Sequence, residues 1–476
     1  MKRLVNCICV LTTLEGPRAQ RARFAGTQIF ARAKKKVIGV LFLTELMVVA
    51  SCELTSSTKP PAKPVEETDT LVVFLTGNEL GALKPCGCSG GQLGGLDRRS
   101  AVFNSVPEQK KLVVDTGMLV EGDSEQDLIK FKIIIEAFNR IGYDLVNLTE
   151  KDIEIGKNLA ILEDIGSNFD IISSQRTAEV NLPAKFTKRL SLKGKTVVVT
   201  IAAFDAKAGQ IEQIRELFQA QHGVQTVNIL ILNRCDASVI DSIARRVPLV
   251  DCLVCPAESD EPMVIGDPNK RPFVFSVGRF GRYVSSLHIT TAKDKDNLQL
   301  SFFSIPVEEA LEQENSLIEL YKDYQQLVKA SNLLEKYPRV PLPEGLEYTG
   351  SESCKVCHAY EYEKWQAPAL RESGGEAHSK AYATLERVGS QFDPECVVCH
   401  VVGMKYEEGF VSEEKSGHLK NVGCENCHGP GSEHIRTLGK AKTTEPKSAC
   451  FDCHTPETSG DYPGNERSFL EKIIHW

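Results

Sequence analysis

The chain has 476 residues, of which 42% are hydrophobic and 25% are charged, and its formal net charge at pH 7 is −8. This length predicts two or three domains with a buried core, and the composition is that of an ordinary globular protein. The acidic balance excludes a polybasic nucleic-acid surface, so we expect no nucleic-acid partner.

A basic cluster and an apolar run precede a cysteine near the N-terminus. Residues 34–51 read KKKVIGVLFLTELMVVAS, and Cys52 follows. This pattern predicts a signal segment over residues 1–51 with lipoprotein-type cleavage, which would leave Cys52 as a lipidated N-terminus. A plain transmembrane anchor is the alternative, although the run is short for a span of ~20 apolar residues. We therefore expect export to the periplasm or the outer cell envelope, with a lipid anchor in the membrane.

Residues 52–69 are rich in Pro, Thr and Lys and show no apolar period, which predicts a flexible tether. Without residues 1–51 the chain carries 47 basic and 62 acidic residues, a formal charge of −15. Such a surface favours basic partners and disfavours anionic lipid headgroups.

From Thr70 the sequence alternates between short apolar runs typical of buried strands and amphipathic stretches typical of helices, such as residues 127–142. The alternation predicts an α/β domain with a mainly parallel sheet over residues 70–306. A polar–apolar helical stretch that ends at three prolines predicts a helical linker over residues 307–346. The strand-like runs are residues 71–77, 111–117, 144–148, 170–174, 196–204, 228–233, 273–290 and 298–307.

Several segments of this domain resemble the metallophosphoesterase domain of the periplasmic 5′-nucleotidases. They are LTGNELGAL (75–83), GGLDRR (94–99), LVVDTG (112–117), the turn at residues 142–144 and FSVGRFGRYVSSLHI (275–289). The resemblance implies a metallophosphoesterase-like αββα sandwich, but the sequence departs from the family at the metal-binding motifs. The family's ligand positions fall at Asn78, Leu80, Met118 and Lys151, and near Asn233 and Ala257. Two-metal hydrolysis needs oxygen and imidazole ligands, so we expect no phosphoesterase activity.

Five cysteines lie in this domain: Cys86, Cys88, Cys235, Cys252 and Cys255. The Pro-Cys-Gly-Cys stretch before GGLDRR is also similar to a nucleotidase-like group in which selenocysteine can replace a cysteine. The resemblance implies that the cysteines follow strands leading to the former metal site. Structural disulfides, redox-active thiol pairs and a thiolate metal site all remain open. If the loops converge, we expect one cluster in which Cys86 or Cys88 pairs with Cys235 or Cys255.

Four Cys-x-x-Cys-His motifs stand in the last quarter of the chain. The motif is typical of c-type haem attachment, in which two thiols bond the haem and the next histidine binds its iron. Two zinc ribbons are the alternative, but zinc needs no histidine after every second cysteine. We therefore predict four covalent haems c over residues 347–476. The haem-bonding cysteines are Cys354, Cys357, Cys396, Cys399, Cys424, Cys427, Cys450 and Cys453, and the proximal histidines are His358, His400, His428 and His454.

The region from Tyr348 resembles the cytochrome c-554 family of multihaem c-type cytochromes. The stretches are YTGSESCKVCHAYEYEKWQ (348–366), VGCENCHGPGSEH (422–434) and FLEKIIH (469–475). The resemblance implies a mainly helical tetrahaem domain with distal ligands at His378, His434 and His475. His418 is a further candidate without a counterpart in the family. Met404 is disfavoured, because it follows His400 too closely to reach the far face of the same haem.

The sequence thus predicts an exported, lipid-anchored multihaem cytochrome that transfers electrons between redox partner proteins. The haem would supply the redox chemistry and the protein its ligation and orientation. One alternative is a haem enzyme that acts on a small nitrogen or sulfur compound at a five-coordinate iron. Another is a sensor or docking protein that uses the α/β domain.

Overall fold

The computed structural model describes residues 70–86, 91–159, 168–175, 181–206, 210–218, 224–291, 297–311, 315–367, 377–446, 449–456, 458–459 and 461–475. The signal segment, the tether, Cys52 and Cys88 lie outside these described residues. Residues Thr68–Trp476 form one compact unit. Within the described ranges, no helix is both long and apolar enough to span a bilayer.

Eleven strands of the described chain form two sheets. The first sheet has the order β11-β10-β1-β2-β3-β4. Strands β1 to β4 are parallel, whereas β10 is antiparallel to β1 and β11 is antiparallel to β10. The second has the order β5-β6-β7-β8-β9, in which only β5 is antiparallel to its neighbour. The strands are β1 (Leu71–Thr76), β2 (Lys111–Asp115), β3 (Leu145–Asn147), β4 (Asp170–Ile172), β5 (Lys185–Leu192), β6 (Lys195–Phe204), β7 (Gln225–Leu232), β8 (Cys252–Cys255), β9 (Phe273–Ser276), β10 (Tyr283–Thr291) and β11 (Leu298–Pro306).

The alternation of side chains along each strand creates the layers. In β1, Leu71, Val73 and Leu75 pack between the two sheets, whereas Val72 and Phe74 face a helical layer. The second sheet repeats this pattern, since alternate residues of β6 and β7 join the core between the sheets and the others pack against helices. The α/β half is therefore a helix–sheet–sheet–helix sandwich, as expected, with two mixed sheets in place of one mainly parallel sheet.

Seven α-helices of the described chain accompany the sheets. They are α1 (Leu96–Asn104), α2 (Glu125–Ile141), α3 (Glu150–Asn158), α4 (Ile214–Leu217), α5 (Ala237–Arg246), α6 (Ser316–Ala330) and α7 (Leu333–Lys336). Helix α2 begins at a capping box between Ser124 and Asp127 and ends at Gly142, whose φ of 87° suits glycine. Its buried Phe131, Ile134 and Phe138 each stabilise the fold by roughly 1.5–3 kcal/mol.

Helix α6 lies in the segment predicted as a linker but is part of the α/β core. Its buried residues Leu317, Leu320, Tyr324 and Val328 recur at helical spacing and pack in the same cluster as Phe131 of α2. The linker prediction followed from the polar residues and the prolines after the helix. The sequence did not indicate that the apolar stripe of this helix would find its partner on α2.

The C-terminal part, residues 347–475, which we call the haem half after its predicted attachment motifs, contains short helices around a small core. Its helices are α8 (Ser351–Lys355), α9 (Ala359–Gln366), α10 (Ala381–Val388), α11 (Pro394–Val397), α12 (Glu413–Ser416), α13 (Cys424–His428), α14 (Ser432–Arg436) and α15 (Glu466–Glu471), with 3-10 turns at His378–Lys380, Gly417–Leu419 and Ala449–Asp452. Helices this short are marginal in isolation. Tertiary contacts such as those of Val397, Met404 and Phe410 must therefore hold them in place.

Two details of the second sheet differ from the sequence prediction. Residues Cys252–Cys255 form the buried strand β8, whereas we expected a loop that follows a strand. Strand β5 was missed because its residues are largely polar and several are exposed, so no apolar run indicates it. Its backbone pairs with β6 at one edge of the sheet.

Candidate haem-binding site

Each Cys-x-x-Cys-His motif forms a tight helical turn. In the first motif the amide of His358 donates to the carbonyl of Cys354 at 2.9 Å, and in the fourth that of His454 donates to Cys450 at 2.8 Å. Residues three and four positions apart lie on one face of such a turn. Both thiols and the histidine of a motif are therefore presented to the same side, as covalent attachment and iron ligation by one haem require.

Three proximal histidines face the three distal histidines that the cytochrome c-554 resemblance implied. The ring centroids are 6.0 Å apart for His358 and His434. They are 6.2 Å apart for His454 and His378, and also for His428 and His475. An iron bound between two imidazole nitrogens needs a separation of about 6 Å, since each Fe–N bond is ~2 Å and each ring adds ~1 Å. The residues present therefore fit three bis-histidine haems.

Hydrogen bonds at Nδ1 orient two rings of these pairs and also the ring of His400. The Nδ1 of His400 lies 2.6 Å from the carbonyl oxygen of Ala381. The Nδ1 of His434 lies 2.8 Å from the carbonyl oxygen of Ala441, and that of His475 lies 2.8 Å from the carbonyl oxygen of Ile473. A carbonyl only accepts, so Nδ1 carries the proton and Nε2 keeps the lone pair that binds a metal.

Burial also keeps two proximal rings neutral. It lowers the pKa of His400 and, in the same way, that of His428. The neutral imidazole is the form that ligates iron, so this electrostatic environment suits the proposed ligands.

The second motif differs from the other three. The ring of His400 stacks on no other histidine ring within the described ranges. His418 lies in the turn Gly417–Leu419 and packs against Gly350, where an added Cβ would meet the His418 carbonyl at 2.9 Å. Met404 is 2% exposed and belongs to the core of the haem half. The opposite side of His400 thus has no histidine partner of the kind seen at the other motifs, as far as the described residues show.

The attachment motifs also lie next to one another in a definite order. The thiols of Cys354 and Cys424 lie close enough together for each to shift the pKa of the other, and the Cys424 amide donates to the Ser351 hydroxyl at 3.1 Å, so the first motif adjoins the third. The thiols of Cys399 and Cys453 shift each other's pKa in the same way, so the second motif adjoins the fourth. Helix α13 of the third motif contacts the turn Ala449–Asp452 of the fourth. The spatial order is therefore first, third, fourth, second.

The cysteines of the α/β half pair differently from our expectation. Cys235 and Cys255 form a disulfide with a Cα–Cα distance of 5.5 Å. Cys86 is also disulfide-bonded, and Cys88 lies outside the described residues. The predicted bond from Cys86 or Cys88 to Cys235 or Cys255 is wrong, because parallel strands β7 and β8 end side by side and bring the latter two together. Cys252 is a free, buried thiol in β8 whose pKa is raised by burial.

A buried polar network fills the carboxyl ends of β1 and β2. The Arg99 guanidinium donates to both oxygens of Glu79, at 2.6 and 2.8 Å, and to the Tyr143 hydroxyl at 2.8 Å. Thr76 donates to Asp115 at 2.6 Å. Burial, and then the charge of Glu79, raises the pKa of Asp115 to about 8. Each of these side chains therefore has a hydrogen-bond partner inside the protein, although the buried Nε of Arg99 has none among the described residues.

The loops at Asn78, Leu80 and Met118 have unusual backbone angles. All three residues have φ between 50° and 63°, a backbone conformation that residues other than glycine rarely adopt. Asp152 accepts hydrogen bonds from the amides of Met118 and Leu119, both at 2.9 Å, and so joins the loop after β2 to helix α3. Among the described residues, no group of three or more His, Cys, Asp or Glu side chains could hold a metal ion.

Part of the haem half is similar to a known family of cytochromes. Residues 353–429 match the family model described as cytochrome c554 and c-prime. This c-type cytochrome segment contains the first three motifs, and the family implies covalently bound haem c. Cytochrome c-554 of Nitrosomonas europaea is 30% identical over 99 residues, which are 18% of this chain and 39% of that protein. The alignment thus spans well under half of the relative.

The N-terminal part has structural neighbours among the nucleotidases, as the resemblance indicated. The 5′-nucleotidase precursor of Thermus thermophilus has a TM-score of 0.42 at 16% identity and covers 57% of this chain and 61% of its own. The NAD nucleotidase of Haemophilus influenzae has a TM-score of 0.43 at 12% identity and covers 67% of this chain and 68% of its own. Likeness at this level supports no conclusion about activity.

The sequence prediction missed two groups of residues. The first is the pair of Arg99 and Glu79, for which the GGLDRR stretch was the available signal. The second joins the cytochrome segment to the α/β half through Gln126, Lys130 and Tyr324. No local signal marks the second group, because Gln126 and its partner Asp393 are 267 positions apart.

Proposed function

We propose that this protein is an exported, lipid-anchored tetrahaem cytochrome that carries electrons between redox partner proteins. The observation that carries the proposal is the set of three opposed histidine pairs beside four Cys-x-x-Cys-His motifs, each pair spaced for one iron. Bound haem would supply one-electron redox chemistry. The chain's own residues attach it, ligate it and orient it.

The neighbouring attachment sites support a carrier role. Because the motifs adjoin in the order first, third, fourth, second, the attachment segment of each site lies beside that of the next. Paired histidine ligation lowers the reduction potential relative to His/Met ligation. The acidic surface expected after removal of residues 1–51 favours basic redox partners.

The test is to mature the protein in a host that attaches haem c and to measure its mass and haem content. We expect the polypeptide mass plus four haem units, with iron and haem in equal amounts. A product that contains zinc and no haem would refute the proposal. The lipid anchor is tested separately by metabolic labelling with a fatty acid, which should label the wild type and not Cys52→Ala, while the haem content of both stays the same.

A haem enzyme is the second candidate, and the environment of His400 favours it. No histidine ring opposes His400 within the described ranges, so the iron that it ligates could offer an open position to a small nitrogen or sulfur compound. One high-spin signal among four haems in the electron paramagnetic spectrum, lost on addition of nitric oxide, would support it. Four low-spin haems would exclude it.

A further inference from the structure

The α/β half meets the haem half at the second Cys-x-x-Cys-His motif. Helix α2 contributes Gln126 and Lys130, and helix α6 contributes Tyr324. On the other side stand Asp393 and Glu395, which begin helix α11 directly before the haem-bonding Cys396 and Cys399. The second motif is therefore attached to the α/β half by side-chain contacts.

Asp393 fixes the start of helix α11. Its buried carboxylate accepts hydrogen bonds from Gln126 and Tyr324, both at 2.8 Å, and from the amide of Glu395 at 3.0 Å. Its carbonyl accepts from the amide of Cys396 at 3.1 Å. A buried carboxylate with this many donors is rigidly held. The α/β half thus determines where the backbone of Cys396 lies.

Lys130 brings a buried positive charge to the same place. Its ammonium lies 2.5 and 2.6 Å from the two oxygens of Glu395. Only 8% of the lysine side chain is exposed, whereas 60% of Glu395 is. Water therefore screens the carboxylate more than the ammonium. The electrostatic effect of Lys130 on a group inside the interface is then larger than the opposite effect of Glu395.

These charges act on the atom that bonds the haem. Burial raises the pKa of the Cys396 thiol, Asp393 and Glu395 raise it further, and Lys130 lowers it. Asp393 and Glu395 stand at the start of the helix that contains Cys396, and the Lys130 ammonium is bonded to Glu395, so all three charges lie beside the attachment cysteine. Reduction of an attached haem adds one electron, so a nearby cation favours the reduced form and a nearby anion favours the oxidised form.

We propose that Lys130, a residue of the α/β half, sets the reduction potential of the haem attached at Cys396 and Cys399. This inference rests on the proposed tetrahaem function. It assigns to the α/β half a role in electron transfer: the half raises the electron affinity of one of the four sites. Lys130 is a positioning residue, because it acts through its charge and through helix α11.

The experiment is a redox titration of the haem-loaded full chain with dithionite, monitored by visible absorption, for five variants. Lys130→Gln should shift the reduction equilibrium of one haem severalfold toward the oxidised form, where a tenfold shift corresponds to about 59 mV for one electron. Glu395→Gln should shift the same haem in the opposite direction. Lys130→Arg, which keeps the charge, should retain the wild-type value.

Two further variants separate charge from structure. Lys132→Gln removes an exposed charge from the same helix and should leave all four potentials unchanged. In the double variant Lys130→Gln/Glu395→Gln the shift should keep the direction of Lys130→Gln and be smaller, because the screened Glu395 offsets only part of the Lys130 charge. Equal behaviour of Lys130→Gln and Lys132→Gln, or shifts of the same sign for Lys130→Gln and Glu395→Gln, would overturn the inference. A wild-type protein with fewer than four haems would instead overturn the proposed function.

Discussion

Arg99 and Glu79 form a doubly hydrogen-bonded ion pair in which neither side chain is exposed to solvent. Burial lowers the pKa of the Arg99 guanidinium, but Glu79 and Tyr143 together outweigh this effect, so the pKa is raised overall. The guanidinium therefore keeps its charge. Its positive charge neutralises the buried carboxylate.

Removal of the Arg99 charge should destabilise the fold strongly. Arg99→Met leaves Glu79 buried and unpaired, so we expect the free energy of unfolding to fall by about 3–5 kcal/mol. Scanning calorimetry of the haem-loaded protein measures the change. Arg140→Met is the matched control, because Arg140 pairs with Glu136 at the surface and should contribute less than about 1 kcal/mol. Similar losses in both variants would contradict the interpretation.

Asp115 should make stability depend on pH. Below pH 3.8 it is protonated in both states, whereas between 3.8 and about 8 only the folded state keeps the proton. This group therefore lowers the free energy of unfolding as pH rises, by up to about 1.4 kcal/mol for each unit in that window. Asp115→Asn mimics the neutral acid and should remove this decline. The measurement is the difference in unfolding free energy between wild type and variant at pH 4 and pH 7, which should be larger at pH 7.

The sequence predicted features whose cause is local, and it failed where distant residues meet. Strand β1 and helix α2 follow from apolar periodicity, and the motifs of the haem half follow from spacing. Strand β5 and the pairing of Cys235 with Cys255 depend on neighbours in the second sheet. The contact of Gln126 with Asp393 joins two halves that are far apart in sequence, so no window of residues reports it.

The Cys235–Cys255 disulfide should stabilise the α/β half. It closes a loop with a sequence separation of 20, for which the chain-entropy model gives roughly 3 kcal/mol. Cys235→Ala should therefore lower the melting temperature, and a reductant should lower that of the wild type by the same route. Cys252→Ala is the control, since Cys252 is a free thiol whose loss leaves the response to reductant intact. Alkylation shows whether the reductant has freed the thiols of Cys235 and Cys255. If it has and the melting temperature of the wild type is unchanged, the disulfide has no stabilising role.

His475 should be a distal ligand although it is the penultimate residue of the chain. Its ring faces proximal His428 at 6.2 Å, and its Nδ1 is held by the carbonyl of Ile473. His475→Ala should convert one low-spin haem to high spin while all haems stay attached, because the thioether bonds and the proximal histidine hold each haem without the distal ligand. His288→Ala, in strand β10, removes a histidine of the α/β half and should leave the spin states unchanged. If both variants give the wild-type electron paramagnetic spectrum, His475 does not ligate iron and the pairing with His428 has no ligand role.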